Sequence, residues 1–309
     1  RAGLVRARLR ARDSCWEEAV EILIQAADVL GDVDDDALRG QLWLALGWAL
    51  METGDGGHAI ETLEAAVGCF EMAPVGRGEG AAPSLWVPEP GAELGNALAA
   101  LAISLARHGE CERARAASHR SLVRAAAHGG GGLRWLALFG AAEVAQCAGD
   151  PHAWEVWVDA AELARDLGLE EALTQTSVRA AVACVDAGQE NEAAVWAAAA
   201  RGAASVHGMD AFACLAETVQ AQLAFAAHPD THFIRALVRS VERLESLGRG
   251  GEAAMGLDML ARAHGALGDV GAAIRTLGRA VPMAEEAGRI QLAKQLHARA
   301  ERLAIGDEV

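Results

Sequence analysis

The sequence predicts an all-α fold, an α-solenoid of about seven antiparallel helix pairs closed by a C-terminal capping helix. Three observations carry that prediction. A turn glycine followed by a polar residue recurs as Gly54-Asp55, Gly109-Glu110, Gly149-Asp150, Gly188-Gln189 and Gly268-Asp269, at spacings of 55, 40, 39 and 80. Apolar and small residues three and four apart flank each of these glycines, the mark of amphipathic helices. The 309-residue chain is 52% hydrophobic yet only 4% aromatic, which suits thin layers of closely approaching helices.

Residues 41–70 set the pattern. Trp43, Leu46, Gly47 and Leu50 share one helical face, Gly54 supplies the left-handed residue that ends the helix, and Asp55 caps the next. Ala59, Leu63 and Ala66 form the second stripe, and Gly47 and Ala59 are small where the two helices must approach closely. One period earlier, Ser14 precedes Trp16, Glu17, Glu18 and Ala19, the second helix of a preceding unit. Around Gly109 the same slots hold Leu98, Leu101, Leu105, Ala114 and Ser118. Around Gly188 they hold Ser177, Ala180, Cys184, Ala193, Ala197 and Ala200, and around Gly268 they hold Leu257, Leu260, His264, Ala273, Leu277 and Ala280. The gap of 80 contains a degenerate turn at His228-Pro229-Asp230.

The expected units are residues 1–34, 36–72, 92–129, 133–168, 170–208, 210–248 and 250–287, with a cap at 288–305, in one domain spanning 1–309. A Pro- and Gly-rich loop insertion occupies 73–91, and Trp86, flanked by Leu85 and Val87, is expected to dock that loop onto the array.

Trp43, Leu46, Gly47, Ala59, Leu63 and Ala66 match the tetratricopeptide repeat (TPR) pattern, with Leu50 at the aromatic position and Glu71 in place of the closing proline. The chain therefore resembles a TPR array. A period near 40, longer than the usual 34, resembles the superhelices of MalT-type activators and signal-transduction ATPases. The resemblance implies a right-handed superhelix whose first helices line a concave groove.

Carried onto this sequence, the groove-facing slots hold Gln41, Leu44, Trp48 and Met51, then Asn96, Ile103 and Arg107, then Phe139, Glu143 and Gln146. They continue with Gln175 and Asp186, then Gln222 and Phe225, then Asp258 and Arg262. This face is markedly apolar, which fits either a partner site or self-packing under tight curvature. As a partner site, it predicts that Trp48→Ala or Phe139→Ala weakens binding with little loss of helicity.

The function this implies is a non-enzymatic protein-interaction scaffold, the sensor or regulatory region of a larger bacterial signalling or transcription-regulatory protein. Its partner would be a peptide, a protein or another domain of the parent chain. The alternative is an inducer-sensing superhelix in which Arg107, Glu143, Gln146 and Gln175 converge on a small molecule.

Other classes are disfavoured by the residues themselves. A net charge of −16 argues against direct nucleic-acid binding, which needs a basic face. No apolar run approaches the roughly 20 residues that span a bilayer. The single lysine, Lys294, excludes a Gly-Lys-Ser/Thr phosphate loop. Neither a G-x-S-x-G elbow nor an HExxH helix occurs. The acidic run 32–36 resembles a calcium loop but has Ala37 for the glycine and Trp43 for the glutamate, so a helix cap explains it better. No catalytic residue, cofactor or metal is expected. The six cysteines form no CxxC pair, and repetition explains the spacing of Cys111, Cys147 and Cys184. Free buried thiols in a reducing, cytoplasmic setting are the expectation. Nothing in the sequence sets an oligomeric state.

Overall fold

The computed structural model describes residues 2–12, 15–30, 35–73, 92–128 and 130–306. The expected Trp86 contact, with nearly all of the 73–91 insertion, lies outside them. Fifteen α-helices and no strand are found among the described residues. The expected class, an all-α helical-repeat solenoid, is the one found. The chain divides into two compact units, Arg1–Ala148 and Gly149–Val309, and the division falls inside the expected repeat 133–168.

The first unit contains α1 (Ala2–Arg12), α2 (Trp16–Leu30), α3 (Asp36–Glu52), α4 (Gly56–Met72), α5 (Glu93–His108), α6 (Cys111–His128) and α7 (Gly131–Cys147). Leu4, Leu23, Leu42, Leu46 and Ala49 form a shared core of α1, α2 and α3. Close approach of α3 and α4 depends on Gly47. A Cβ there would stand 2.5 Å from Cγ of Leu63. Asp35 caps α3 by accepting from the Leu38 amide at 3.0 Å, which bears out the capping reading of the acidic run.

The second unit contains α8 (Ala153–Asp166), α9 (Glu170–Asp186), α10 (Glu190–His207), α11 (Asp210–Ala227), α12 (Thr231–Ser246), α13 (Gly250–Ala266), α14 (Val270–Glu286) and α15 (Ile290–Ile305). Trp157, Leu215, Leu237, Leu257 and Leu277 are fully buried in its core. Its turns are more regular than the 40-residue period suggests. Gly168, Gly188, Gly208, Gly248, Gly268 and Gly288 all have positive φ, every 20 residues except at 228, where His228 is extended. After each glycine the next amide reaches back to a carbonyl of the preceding helix, as in Gln189 to Cys184 at 2.8 Å and Arg289 to Ala284 at 2.8 Å. The final helix, α15, packs on α14 as the expected cap.

The expectation of free thiols needs correction. Cys111 and Cys147 form a disulfide, with Cα atoms 5.9 Å apart. Cys111 opens α6 and Cys147 closes α7, so antiparallel packing brings one helix start against another helix end. Repetition explains their sequence spacing but not this meeting. Cys15, Cys69, Cys184 and Cys214 take part in no disulfide. The cysteine argument for a reducing compartment is thereby lost.

Among the described residues no helix is long and apolar enough to cross a membrane. No cluster of His, Cys, Asp and Glu among them fits a metal ion.

Candidate ligand groove

In the first unit the apolar groove positions are packed away. Leu44, Met51, Ile103 and Phe139 are all buried, and the Phe139 ring lies 5.6 Å from that of Trp135. Asn96 is buried as well, whereas Gln41, Trp48 and Gln146 are half-buried. Two charged positions meet. Arg107 of α5 donates through Nε and Nη2 to Oε1 of Glu143 on α7, at 3.3 and 3.2 Å. The Trp48 indole N–H is shielded from solvent and has no hydrogen-bond acceptor, an energetic debt that a ligand carbonyl would relieve.

In the second unit Gln175 and Gln222 are half-buried, Phe225 and Asp258 are buried, and Asp186 is exposed. Arg262 of α13 pairs with Asp258 at 2.7 Å and also with Asp186 on α9, while Arg299 of α15 pairs with Asp258. The side chains of α9, α13 and α15 therefore share one face. The two carboxylates hold the Arg262 guanidinium firmly ionised, overcoming the burial that opposes it. Gln222 on α11 has a shielded amide oxygen that accepts no hydrogen bond.

Six residues apart on α13, Glu252 and Asp258 mark two charged centres. Around buried Glu252 stand Arg249, Arg289 and Arg179, at 3.3, 4.0 and 3.8 Å. Burial alone would raise the Glu252 carboxyl, but the three arginines outweigh it and hold it at about 2. This centre was missed in the sequence because none of its residues occupies a groove slot. A signal was present. Arg249 and Arg289 each follow a turn glycine and lie one repeat apart.

No protein-family model matches the sequence, and no curated protein matches it. Solved structures do. A Rap protein complexed with competence and sporulation factor is similar at a TM-score of 0.75 and 13% identity, over 96% of this chain and 75% of that one. The Rap conjugation gene regulator of plasmid pLS20, in complex with the Phr* peptide, aligns at a TM-score of 0.71 and 16% identity, over 94% and 75%. A signal-transduction ATPase with a tetratricopeptide-repeat sensor from Pyrococcus horikoshii aligns at 0.52 and 14% identity, over 90% of this chain but 41% of that one. These likenesses show the fold, a TPR-like helical-repeat solenoid.

Proposed function

We propose that this TPR-like solenoid is a non-enzymatic scaffold that binds a linear peptide, or an extended segment of a partner protein, along the face shared by α9, α11 and α13 of its second unit. The reading extends to its place in the cell's circuitry, as the sensor or regulatory region of a larger bacterial signalling or transcription-regulatory protein. One observation supports it most. Arg262 joins Asp186 of α9 to Asp258 of α13, so charged side chains from helices two repeats apart line one surface. An extended peptide offers alternating backbone donors and acceptors, which suits such a surface and the shielded amide oxygen of Gln222 on α11. Two of the similar structures hold a peptide or signalling factor on this fold, and a third carries the array as a sensor.

The test is selection of peptides from a displayed random library on the purified chain, followed by affinity measurement against Asp186→Asn and Gln222→Ala. Asp186 is exposed and Arg262 keeps Asp258 as an ion partner, so the amide variant should still fold, and its melting temperature is measured beside the affinity. Enriched peptides should lose about tenfold or more in affinity in these variants. Enrichment no better than on heat-denatured chain, or affinities untouched by both substitutions, would overturn the reading. A metabolite that raised the melting temperature in place of any peptide would transfer the groove to the small-molecule alternative.

A further inference from the structure

We propose that two copies of this chain pair through the outer face of the second unit, with α8 of each copy lying against α12 of the other. The face differs from the one assigned to peptide, and the inference stands independently of that reading.

The layering follows from which helices touch. α9, α11 and α13 pack on one another in series, whereas α10 sits against α9 and α11, and α12 against α11 and α13. α8 packs on α9, and its Arg165 guanidinium lies 5.1 Å over the Trp196 ring of α10. Helices α8, α10 and α12 therefore run side by side in an outer layer, with one antiparallel helix intervening between each and the next. Equivalent positions recur across that layer every 40 residues. One row holds Glu155, Val195 and Arg235, and the next turn holds Asp159, Ala199 and Arg239. All are exposed except Ala199, which is half-buried. The face thus passes from acidic through uncharged to basic.

Little of this charge is paired within the chain. Asp159, Arg235 and Arg239 form no ion pair among the described residues, and Arg235 acts on the Asp230 carboxylate only at a distance. Arg243, next in the basic stripe, approaches Asp210 at 3.7 Å, and Glu155 has the exposed His152 ring at 2.9 Å. Like charges four residues apart weaken the helix that carries them, and an opposite charge from outside offsets that cost. The middle helix suits self-contact. Val195 is 60% and Val206 77% exposed, and at Gly202 a Cβ would meet nothing within 4 Å.

A second copy is the occupant because the complement of each side is present on the chain itself. A two-fold axis along α10 sets each row against its own reverse. Glu155 and Asp159 of one copy then face Arg235 and Arg239 of the other, and Val195 meets its counterpart. The same axis brings Glu162 towards Glu242, and there each copy supplies its own base: Arg165 at 3.5 Å from Glu162, and Arg243 next in sequence to Glu242. Helices α8, α10 and α12 are 14, 18 and 16 residues long. At about 1.5 Å per residue and about 10 Å between neighbours they offer roughly 25 by 30 Å, the scale of the roughly 800 Å² per partner in a standard interface.

Sedimentation velocity of the whole chain is the test. The wild type should dimerise with a Kd of about 1–50 µM. Arg235→Glu with Arg239→Glu makes both sides of the face acidic, and Glu155→Arg with Asp159→Arg makes both basic. Each variant alone should dimerise about a hundredfold more weakly, and an equimolar mixture should form a heterodimer within about tenfold of the wild-type affinity. The four positions are exposed, and a melting curve checks that each variant folds. Should either fail to fold, Val195→Arg places like charges on the axis and should abolish the dimer. A wild type still monomeric at about 100 µM would overturn the proposal. So would a dimer that the folded variants keep, which would lie on another face, or a mixture of folded variants that stays unpaired.

Discussion

Arg107 and Glu143 meet across α5 and α7 with both Nε and Nη2 directed at one oxygen, Oε1, at 3.3 and 3.2 Å. Their side chains are only 13% and 9% exposed, so the pair is buried and its two halves depend on each other. Removing one partner from a buried pair costs roughly 3 kcal/mol, because the other charge stays desolvated, whereas replacing both by apolar residues is often near neutral. Arg107→Met is therefore expected to lower stability by about that amount, and Arg107→Met with Glu143→Met to recover most of it. Urea unfolding of both variants checks this. Equal loss in the single and double variants would show that the pair acts through something other than mutual charge.

The disulfide closes a loop of sequence separation 36. Chain-entropy arguments give a crosslink of that span about 3–4 kcal/mol of stabilisation. Unfolding under reducing conditions should shift to lower urea, and Cys111→Ser with Cys147→Ser should reproduce the shift without reductant. Thiol titration of the denatured, unreduced chain should find four thiols, those of Cys15, Cys69, Cys184 and Cys214, which take part in no disulfide. Six titrating thiols would exclude the bond. Cys184 should react last in the native state, since burial, with Glu192 nearby, pushes its thiol up to about 12.

Helix pairing, turn chemistry and the cap were legible because each is local. A glycine at a helix end, an Asp at the next N-cap and small residues at the crossing all lie within one repeat. Counting along the repeat also selected Arg107 with Glu143, and Asp186 with Asp258 and Arg262, which meet in space. Burial of Leu44, Ile103, Phe139 and Phe225 was not legible. It depends on how closely neighbouring repeats pack, a sum of side-chain volumes across helices far apart in sequence. The Glu252 centre escaped for a related reason. Arg249 and Arg289 stand at N-caps, outside the groove slots, and Arg289 meets Glu252 only through the packing of two helix starts 40 residues apart in sequence.

Two helical glycines are expected to respond oppositely to alanine. At Gly47 the added Cβ meets Leu63 Cγ at 2.5 Å and Cδ2 at 2.6 Å, so α3 and α4 must part or Leu63 must leave its rotamer. Overpacking of this kind costs about 1–3 kcal/mol. At Gly278 a Cβ meets nothing within 4 Å, and the position is exposed inside α14. There alanine is expected to stabilise by about 0.5–1 kcal/mol through helix propensity. Thermal unfolding of the two variants side by side separates close approach from backbone entropy. A stabilising Gly47→Ala would mean that the helices do not touch there.

Phe139 belongs to the core and not to an open wall of the groove. It is 6% exposed and packs against Trp135. Phe139→Ala is expected to cost about 3–5 kcal/mol, with visible loss of cooperativity in the melt. Trp48 is only half-buried, and Trp48→Ala should cost less. Equal and small losses at both positions would return Phe139 to the binding surface. Partner binding is then better tested at Asp186 and Gln222, whose substitution leaves the apolar layer intact.

The acid limb of the stability profile should carry the signature of Glu252. Its carboxyl is held at about 2 against an ordinary 4.5, burial being outweighed by Arg249, Arg289 and Arg179. The folded-state value is the lower one, so the ionised group stabilises the fold fully above about pH 4.5. That contribution is lost as pH falls from there toward 2. A depression of this size corresponds to on the order of 3 kcal/mol at neutral pH. Glu252→Gln should remove that part of the slope and also weaken the fold at pH 7, because three guanidiniums then face a neutral amide. Circular dichroism of urea unfolding at successive pH values measures both effects. An acid limb of unchanged slope in the variant would mean that the arginines do not hold Glu252 as a charge, and a variant more stable than wild type at pH 7 would mean that the cluster is strained by the acid it surrounds.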